Sequence, residues 1–420
     1  MSNQVIVTGL GCVGPLGIGL DQTWQNAISG MSCVKDTSSE NDIFKPRLYA
    51  PVQQSWLDQA YDSSEAIDNV KKLSRKADAF ILYSILAAEQ AIQQSSVLDR
   101  VDRERIAVII GVGMGGLPMI EANMISLLTK GPRKVSPYFV PGTLPNMPVG
   151  YVSQIWGLKG PSFATSSACA SGGHAIAVGS MLLRSGEVDA VIVGGAEACV
   201  CDASHAGFGA LRALSTHQDA STASKPWDAN RDGFVLGEGS AIMVMERRDQ
   251  VEKFGVNSLG ELASFGMTSD GYHITSPDPS AEQHYRAMNL AMQKAGLNTA
   301  DVGYINAHAT STPAGDMTEP KAIEQLYGDQ LANVKVSATK SMHGHLLGGA
   351  GAYEAVLTLL SLQHQLALPT INLTHPDPDL PQDFNPVALQ PQSINTQYAL
   401  SNSFGFGGTN TSLLFKRAGD

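Results

Sequence analysis

Cys169 is the residue of this sequence best placed to act as a nucleophile. It lies in the run Ser-Ser-Ala-Cys-Ala-Ser-Gly-Gly, between an apolar, strand-like approach and a small-residue segment that predicts a helix. Unpaired backbone N–H groups and the helix dipole stabilise a thiolate at the amino end of a helix. We therefore expect Cys169 to be an activated thiol.

Two histidines lie in turns that suit the same chemistry. His308 occurs in Asn-Ala-His-Ala-Thr-Ser-Thr-Pro-Ala-Gly-Asp, and His345 occurs in Lys-Ser-Met-His-Gly-His-Leu-Leu-Gly-Gly-Ala-Gly. Each turn is rich in Gly, Ser or Thr and follows a strand-like run. One thiol combined with two imidazoles indicates acyl-transfer chemistry.

Short apolar strands alternate with helical segments along the chain. Strands are predicted at 5–8, 106–111, 190–195 and 302–306, and one continuous helix is predicted over 68–94. This alternation is typical of α/β layers with mostly parallel, buried sheets.

The turns that carry Cys169 and His345 are similar to each other. Each places a reactive side chain before a Gly-Gly pair and a small-residue helix. We interpret the similarity as a duplication, with an amino-terminal half at 1–259 and a carboxyl-terminal half at 260–420, that brings both turns to one central seam. No linker-like segment separates the halves, so one compact unit is expected.

The composition argues against several classes of protein. The chain has 420 residues, 43% of them hydrophobic and 16% charged, so it can bury a large core. No signal peptide or membrane-spanning stretch is found, and a cytoplasmic location is expected. The net charge of −11 argues against a general nucleic-acid binder. The five cysteines lack the spacing of a disulfide framework or a metal site, so we predict reduced thiols and no metal.

Four ordered motifs resemble those of the β-ketoacyl-ACP synthases, closest to type II. They are the runs around Cys169, His308 and His345 and the sequence Asn-Ser-Phe-Gly-Phe-Gly-Gly-Thr-Asn at 402–410. The resemblance covers essentially the whole chain and implies the thiolase fold, a five-layered α-β-α-β-α arrangement of two duplicated halves, normally in a homodimer. It also implies fatty-acid elongation by decarboxylative Claisen condensation. The substrates are then carried on the phosphopantetheine arm of acyl carrier protein, with no permanently bound cofactor.

The residue types agree with the chemistry that the resemblance implies. An acyl group is first held as a thioester on Cys169, and loss of CO₂ from malonyl then supplies a carbanion. Because the loss of CO₂ supplies the carbanion, no strong base is needed. The enolate oxygen needs stabilisation instead, and His308 and His345 as neutral imidazoles can donate N–H bonds to it. A non-decarboxylating thiolase uses a second cysteine near the carboxyl end to remove a proton from the incoming acetyl group. Thiolase chemistry is disfavoured here because no cysteine follows Cys201. The ketosynthase III branch, which uses an asparagine at the position of His345, is disfavoured as well.

The resemblance further implies roles for residues around these three. The backbone N–H groups of Cys169 and Phe406 would form an oxyanion hole, and Phe404 and Phe406 would belong to a glycine-rich loop that admits substrate. The Lys340 ammonium would help to keep His308 uncharged. Four residues match supporting positions, an ion pair behind the histidines and two acidic residues of the second turn: Lys340, Glu354, Asp316 and Glu319.

The resemblance also implies that three apolar residues line the acyl pocket: Met114, Phe208 and, from the neighbouring subunit, Phe139. The flexible Met114 side chain would fill or vacate space for acyl chains of different length. His343 stands where the family commonly has a small residue. It either faces the site and alters substrate preference or is a solvated or supporting imidazole.

A basic patch is predicted on this otherwise acidic protein. Its first three members share one face of the helix predicted over 68–94, through their i, i+3, i+4 spacing. The patch would dock an acidic carrier protein; the alternative is a solvated helix face. The full set is Lys72, Arg75, Lys76, Arg133, Lys134 and Arg212.

Two alternatives to a fatty-acid synthase are left open. A ketosynthase of a type II polyketide or polyene pathway has the same motifs and often pairs with a chain-length-factor subunit. A non-catalytic partner of the same fold lacks the nucleophile, which this chain retains as Cys169.

Overall fold

The computed structural model describes residues 4–39, 42–68 and 70–419. Within these residues ten strands lie side by side in one hydrogen-bonded sheet, joined at β1 by the short strand Gly17–Ile18. Continuous apolar, often β-branched sequences suit strands that are buried on both faces. In chain order they are β1 (Val5–Gly14), β2 (Ile106–Gly111), β3 (Ser162–Thr165), β4 (Ala190–Glu197), β5 (Gly239–Arg247), β6 (Gly260–Ser269), β7 (Val302–Asn306), β8 (Lys335–Ser337), β9 (Tyr398–Gly405) and β10 (Thr409–Lys416).

The same strand arrangement occurs twice. The first five strands follow the order β3-β2-β4-β5-β1, and the last five follow β8-β7-β9-β10-β6, which is the same pattern shifted by five. Antiparallel pairing of β1 with β6, from Val5 opposite Leu262 to Val7 opposite Gly260, joins the two sets. The repeated order agrees with a duplicated chain.

The sheet is mixed, so the prediction of mostly parallel sheets was wrong. β2 pairs in parallel with β3 and β4, and β7 pairs in parallel with β8 and β9. The remaining neighbours in each set are antiparallel. One cause is the tight turn between β9 and β10, because a short hairpin connection can only join antiparallel strands.

Helices cover both faces of the strands and also separate the two sets. They are α1 (Leu20–Ile28), α2 (Gln54–Ser63), α3 (Val70–Leu73), α4 (Ala79–Ser95), α5 (Leu117–Lys130), α6 (Phe139–Thr143), α7 (Met147–Trp156), α8 (Ser171–Arg184), α9 (Asp202–Ala210), α10 (Arg248–Phe254), α11 (Glu282–Ala295), α12 (Gly315–Tyr327), α13 (Lys340–His343) and α14 (Ala350–His364). Further two- or three-residue strands are Lys35–Asp36, Leu48–Ala50, Leu236–Gly237, Leu366–Ala367 and Gln392–Ser393.

The central layer consists of α8 and α14. These two helices contact each other, and each contacts strands of both sets. On the outer faces, α4 and α7 cover the first set, whereas α11 covers the second set and α12 packs on α11. The order from one outer face to the other is therefore helix, sheet, helix, sheet, helix.

Glycine lets the two central helices approach closely. A Cβ atom at Gly172 of α8 would lie 2.9 Å from the backbone nitrogen of Ala352 in α14, and one at Gly351 would lie 2.9 Å from the nitrogen of Gly173. No larger residue fits such contacts without movement of the backbone. The small-residue runs that follow Cys169 and His345 are thus the residues that bring the two turns together.

The single helix predicted over 68–94 is interrupted. The chain forms α3 and α4 with a turn between them, because the backbone of Asp78 is extended (ψ 161°). The Asp78 N–H donates to the carbonyl of Gly142, and its carboxylate accepts from the N–H of Met119. These long-range bonds replace the helical bonds that a continuous helix would make.

None of the helices in the described ranges is long and apolar enough to span a membrane.

Candidate active site

A cavity of about 460 Å³ opens between the two strand sets and contains the three residues singled out from the sequence. The Cys169 sulfur and one ring nitrogen each of His308 and His345 lie within 4.8 Å of one another. Cys169 is more than a hundred positions from either histidine in the chain, yet all three residues face one space. A side chain here can attack a bound group while two imidazole nitrogens contact the same group.

Cys169 lies just before α8 in a turn that is fixed by its neighbours. The Ser171 hydroxyl accepts from the N–H of Ser167 and donates to the carbonyl of Ala168, whose φ of 50° closes the turn. The Cys169 side chain is buried in the floor of the cavity.

Burial raises the pKa of the Cys169 thiol to about 11, and the N–H of Phe406 and the charge of Lys340 lower it by less. Stabilisation of a thiolate by the helix terminus, which the sequence indicated, is therefore not the dominant effect on the pKa of this thiol. A buried thiolate loses its hydration, and this cost outweighs the stabilisation that the helix terminus gives to the negative charge. The thiol carries its proton at neutral pH.

His308 follows β7 in a turn held by two buried carboxylates of α12. The Glu319 carboxylate accepts from the N–H groups of His308 and Ala309 at 3.0 and 2.9 Å, and also from the side-chain amide of Asn402. Asp316 accepts from the N–H groups of Thr310 and Ser311, and from that of Trp227. Because the acceptors lie at the start of α12, the turn and the helix are fixed as one unit.

His345 is held mainly by backbone bonds. Its N–H donates to the carbonyl of Val235 at 2.7 Å, and its own carbonyl accepts from the N–H of Gly237 at 2.9 Å. Gly344, with a φ of 66°, gives the chain the left-handed conformation that this turn requires. The His345 ring stands edge-on to that of His308, with the centroids 5.4 Å apart.

Both histidines are electrically neutral at pH 7. Burial is the largest cause that lowers the pKa of His308 and of His345 well below the usual value, and the charge of Lys340 is the second. The Nδ1 atoms of both rings are buried without a hydrogen-bond partner among the described residues. A neutral ring can donate one N–H bond towards the cavity without a charge of its own.

Lys340 and Glu354 form a buried ion pair behind the histidines. The Lys340 ammonium lies 2.5 and 2.7 Å from the two carboxylate oxygens of Glu354, and both side chains are almost inaccessible to solvent. Burial raises the pKa of Glu354 to about 7, while Lys340 lowers it. The pair places a positive charge near both rings, as predicted for the His308 ring.

The hairpin turn between β9 and β10 closes one side of the cavity. Phe404 is buried, Phe406 is partly exposed, and both line the cavity near Cys169. Gly407 and Gly408 have φ values of 83° and 70°, which only glycine adopts without strain. The structure thus brings the predicted loop to the thiol.

Glu197 is a residue of the site that the sequence analysis missed. It ends β4, is fully buried, and accepts from the N–H groups of Gly113, Met114, Gly115 and Gly348. It therefore ties the glycine-rich loop of the acyl pocket to the turn after His345. The sequence does contain an indication of this role. A carboxylate at the end of an otherwise apolar strand is buried, and a buried carboxylate needs hydrogen-bond donors around it.

The structure places two of the three predicted acyl-pocket residues in the cavity lining. Met114 and Phe208 line the cavity, and Phe208 packs edge-on against Phe234 with a centroid distance of 5.2 Å. Phe139 begins α6 and is outside the described lining of its own chain's cavity. Its predicted approach from a neighbouring subunit stays a prediction.

His343 lies in α13 and is outside the described lining of the cavity. Its Nε2 lies 3.1 Å from the Thr339 hydroxyl, and its ring packs against Tyr353 with the centroids 5.1 Å apart. Burial lowers its pKa to about 3. Of the two interpretations of His343, the structure favours a supporting imidazole, although a buried one instead of a solvated one.

Five of the six predicted docking residues are exposed, and the sixth, Lys76, is partly buried. Arg212 lines the cavity itself, and the ammonium of Lys76 lies 5.1 Å from the ring centroid of Tyr138. Because the predicted helix is interrupted, the first three members lie in α3 and the turn after it instead of along one helix face. The exposed members are Lys72, Arg75, Arg133, Lys134 and Arg212.

The fold and the cavity define a class of protein: a two-fold repeated α/β enzyme with a buried thiol and two neutral imidazoles in one space. The Beta-ketoacyl synthase N-terminal domain matches residues 2–250, and the Beta-ketoacyl synthase C-terminal domain matches residues 259–374. The chain belongs to the beta-ketoacyl synthase family.

Curated relatives match over the full length. The 3-oxoacyl-[acyl-carrier-protein] synthase 2 of Vibrio cholerae serotype O1 is 43% identical over 419 residues, with 99% of each chain covered. The protein of the same name from Staphylococcus aureus (strain COL) is 40% identical, with the same coverage. These relatives confirm the predicted enzyme class, a carbon–carbon bond-forming acyltransferase of the 3-oxoacyl-ACP synthase kind.

Solved structures agree. A beta-ketoacyl synthase from Burkholderia phymatum STM815 has a TM-score of 0.88 and 31% identity, covering 99% of this chain and 100% of that one. A type II polyketide ketosynthase in complex with its acyl-carrier protein has a TM-score of 0.89 and 28% identity, covering 99% of both. The predicted thiolase fold of two duplicated halves is confirmed.

Proposed function

We propose that Cys169 carries the acyl group during chain elongation. The observation that supports this most is the placement of the thiol and two imidazole nitrogens within 4.8 Å in one cavity. In the first step a bond forms between the Cys169 sulfur and the acyl carbon, and the bond from that carbon to the carrier's sulfur breaks. The proton lost from Cys169 ends on the carrier thiol that leaves.

The two histidines serve the second step. The bond between the malonyl α-carbon and its carboxylate breaks, CO₂ leaves, and the electron pair forms an enolate whose oxygen accepts N–H bonds from His308 and His345. The enolate carbon then attacks the Cys169-bound acyl carbon. A new carbon–carbon bond forms, and the Cys169 sulfur leaves and regains a proton.

The backbone N–H groups of Cys169 and Phe406 form the oxyanion hole in this proposal. The Phe406 N–H already interacts with the thiol, which supports its placement beside the reacting carbon. Neutral donors that are fixed before the reaction stabilise the developing negative charge without reorganisation. Glu319, Asp316 and the Lys340–Glu354 pair hold the histidines and keep them uncharged.

The proposed partner is acyl carrier protein, which presents substrates on its phosphopantetheine arm. The exposed Arg212 side chain lines the cavity and supports this assignment, because a cation beside the cavity attracts an acidic carrier protein. A related ketosynthase has been solved with its acyl-carrier protein. We propose no permanently bound cofactor and a cytoplasmic location.

We further propose a homodimer. Strand β3 ends the sheet with one unpaired edge among the described residues and exposes Phe163. An exposed apolar edge strand invites pairing with a second copy. In this proposed dimer, Phe139 approaches the acyl pocket of the neighbouring subunit. The proposed boundary between halves lies at 259/260, just before β6 repeats the pattern begun by β1.

The three donors also resemble a zinc set, since a thiolate and two imidazoles are common zinc ligands. The proposal requires a thiol that is free to bond carbon. We therefore expect treatment with a chelator to leave the turnover unchanged.

The direct test uses purified protein, acyl-ACP and malonyl-ACP labelled with ¹⁴C in the free carboxyl group. Release of labelled CO₂ together with a 3-oxoacyl-ACP two carbons longer than the primer is expected. Absence of product with every primer between two and sixteen carbons would refute the proposal.

A polyketide or polyene ketosynthase is the second candidate. It is favoured by a related ketosynthase and chain length factor solved together, at 26% identity and a TM-score of 0.88. The higher identity of the 3-oxoacyl-ACP synthase relatives favours fatty-acid elongation. Purification from the native host separates the two, because a heterodimer would indicate the polyketide alternative.

A further inference from the structure

The histidine at 284 is a cavity residue for which the mechanism has no use. It lies in α11, is buried, and lines the cavity beside Phe404. Its ring is stacked on that of Phe404, with the centroids 3.8 Å apart and the planes inclined by 7°. Phe404 in turn lies 6.1 Å from the His308 ring, so His284 is one aromatic contact away from the reacting groups.

We propose that His284 is a positioning residue that holds Phe404, and with it the turn 404–408, in the closed arrangement over Cys169. The inference rests on the proposed function for its consequence, because a gate over the thiol matters only if substrates enter and leave. The ring of His284 stacks on that of Phe404, so we assign its effect to Phe404.

The buried ring nitrogen supports a stacking role. The Nδ1 atom of His284 has no hydrogen-bond partner among the described residues. Burial lowers the pKa of His284 to about 4, although the charges of Asp270 and Asp278 oppose this. An unsatisfied buried nitrogen is costly, and the Nδ1 atom makes no hydrogen bond to the described residues that would hold the ring in place. The contact that its face makes is the stack on Phe404.

The segment before α11 strengthens the same restraint. The N–H of Gly407 donates to the carbonyl of Ile274 at 2.6 Å, and the N–H of Asp270 donates to the carbonyl of Gly408 at 2.9 Å. The glycines of the turn supply the freedom to move, while these bonds and the stack oppose movement. Residues 270–284 and the turn 404–408 therefore form one closed unit.

Two measurements that respond in opposite directions test this inference. His284→Ala removes the stacked ring, and we expect alkylation of Cys169 by iodoacetamide to become about three- to tenfold faster. This factor is the increase in the population of the open turn that the loss of one stacked aromatic pair causes. The condensation kcat is expected to fall by a similar factor, because the Phe406 N–H is then less often in place. Labelling is followed by mass spectrometry of the Cys169 peptide.

Two variants serve as controls. His284→Phe keeps a stacked ring without the nitrogen and is expected to restore both rates to within about twofold of the native values. His364→Ala removes a histidine that stacks on Trp24 (4.6 Å) away from the cavity, and should change neither rate. Thermal unfolding of each variant confirms that it is folded.

Results of several kinds would overturn the inference. They are a parallel fall of labelling and condensation in His284→Ala, no change in labelling, or a His284→Phe variant that behaves like His284→Ala. Because labelling by iodoacetamide needs no carrier protein and no turnover, it tests the position of Phe404 even if the native protein makes no condensation product. Failure of the proposed function and failure of this inference are therefore distinguishable.

Discussion

The turns of His308 and His345 place similar rings in one cavity by different physical means. The His308 turn depends on side chains, since the carboxylates of Glu319 and Asp316 accept its backbone N–H groups. The His345 turn depends on the backbone, through bonds with Val235 and Gly237. Side-chain acceptors can be removed by one substitution, whereas backbone acceptors cannot. The difference indicates that the His308 turn is the more vulnerable of the two.

The largest effects are expected from removal of either ring, which tests whether the two positions are chemically equal despite their different supports. His308→Ala and His345→Ala should each lower the rate of condensation by about 10²- to 10³-fold, the usual loss for one oxyanion donor. Acylation of Cys169 should continue in both. The rates are measured as labelled CO₂ release and as acyl-enzyme formation, with exposed His375→Ala as the control. Loss of acylation in either variant would contradict the division of labour.

Disruption of the ion pair behind both rings is expected to have the next largest effect. Lys340→Met leaves the Glu354 carboxylate buried without its cation and should reduce the free energy of unfolding by about 3–5 kcal/mol at pH 8. The double variant Lys340→Met/Glu354→Leu removes the stranded charge and should recover much of the loss, as measured by urea denaturation.

The pH dependence of the Lys340→Met variant follows from the sign of the Glu354 shift. Burial raises the pKa of Glu354 to about 7 in the folded protein, above its ordinary value of 4.5. The folded state therefore binds the Glu354 proton more tightly than the unfolded state. Protonation of Glu354 stabilises the folded state at low pH, and this stabilisation is lost as the pH rises from 4.5 to about 7. Without Lys340 to lower this pKa, the variant should be less destabilised at pH 5 than at pH 8. Equal destabilisation at both would show that Glu354 does not titrate in this window.

A smaller effect is expected from Glu319→Gln, which addresses the His308 turn alone. Glutamine has the same shape but only one acceptor oxygen, so one of the N–H groups of His308 and Ala309 faces an amide donor. Condensation should fall by about tenfold, the loss of one buried hydrogen bond, while iodoacetamide labelling of Cys169 stays unchanged. Exposed Glu324→Gln in the same helix is the matched control. An unchanged condensation rate would show that the carboxylate is not needed to hold the turn.

The smallest effect is expected at His343, which lies just before the other turn. His343→Thr removes a ring that packs on Tyr353, and should cost about 0.5–3 kcal/mol of stability, as is usual for one substitution. Condensation should stay within about threefold of the native rate, because backbone bonds hold His345. A drop larger than that of Glu319→Gln would reverse the proposed order of vulnerability.

The convergence of the site was predictable because short motifs and a duplication carried it. The Gly-Gly pairs after Cys169 and His345 indicated two small-residue helices, and the structure places those helices in contact at the seam. Met114 and the loop of Phe404 and Phe406 were likewise recognisable from local sequence. In each case the residue and its neighbours in the chain contained the signal.

Features that depend on long-range partners were not predictable. Glu197 acts through N–H groups more than eighty residues away, and the turn before α4 depends on Gly142 and Met119. The raised pKa of the Cys169 thiol was not predictable because the local helix terminus is visible in sequence, whereas the burial that raises the pKa is set by packing. The stack of His284 on Phe404 joins residues 120 positions apart and has no local motif.

The central claim is that one buried thiol carries the acyl group while two neutral rings act on the second substrate. Mass spectrometry of protein quenched after mixing with acyl-ACP alone tests it directly. We expect one acyl group per chain, on the Cys169 peptide, in the native protein and in His308→Ala and His345→Ala, and none in Cys169→Ala. An acyl group on Cys199 or another residue, or none in the native protein, would contradict the claim.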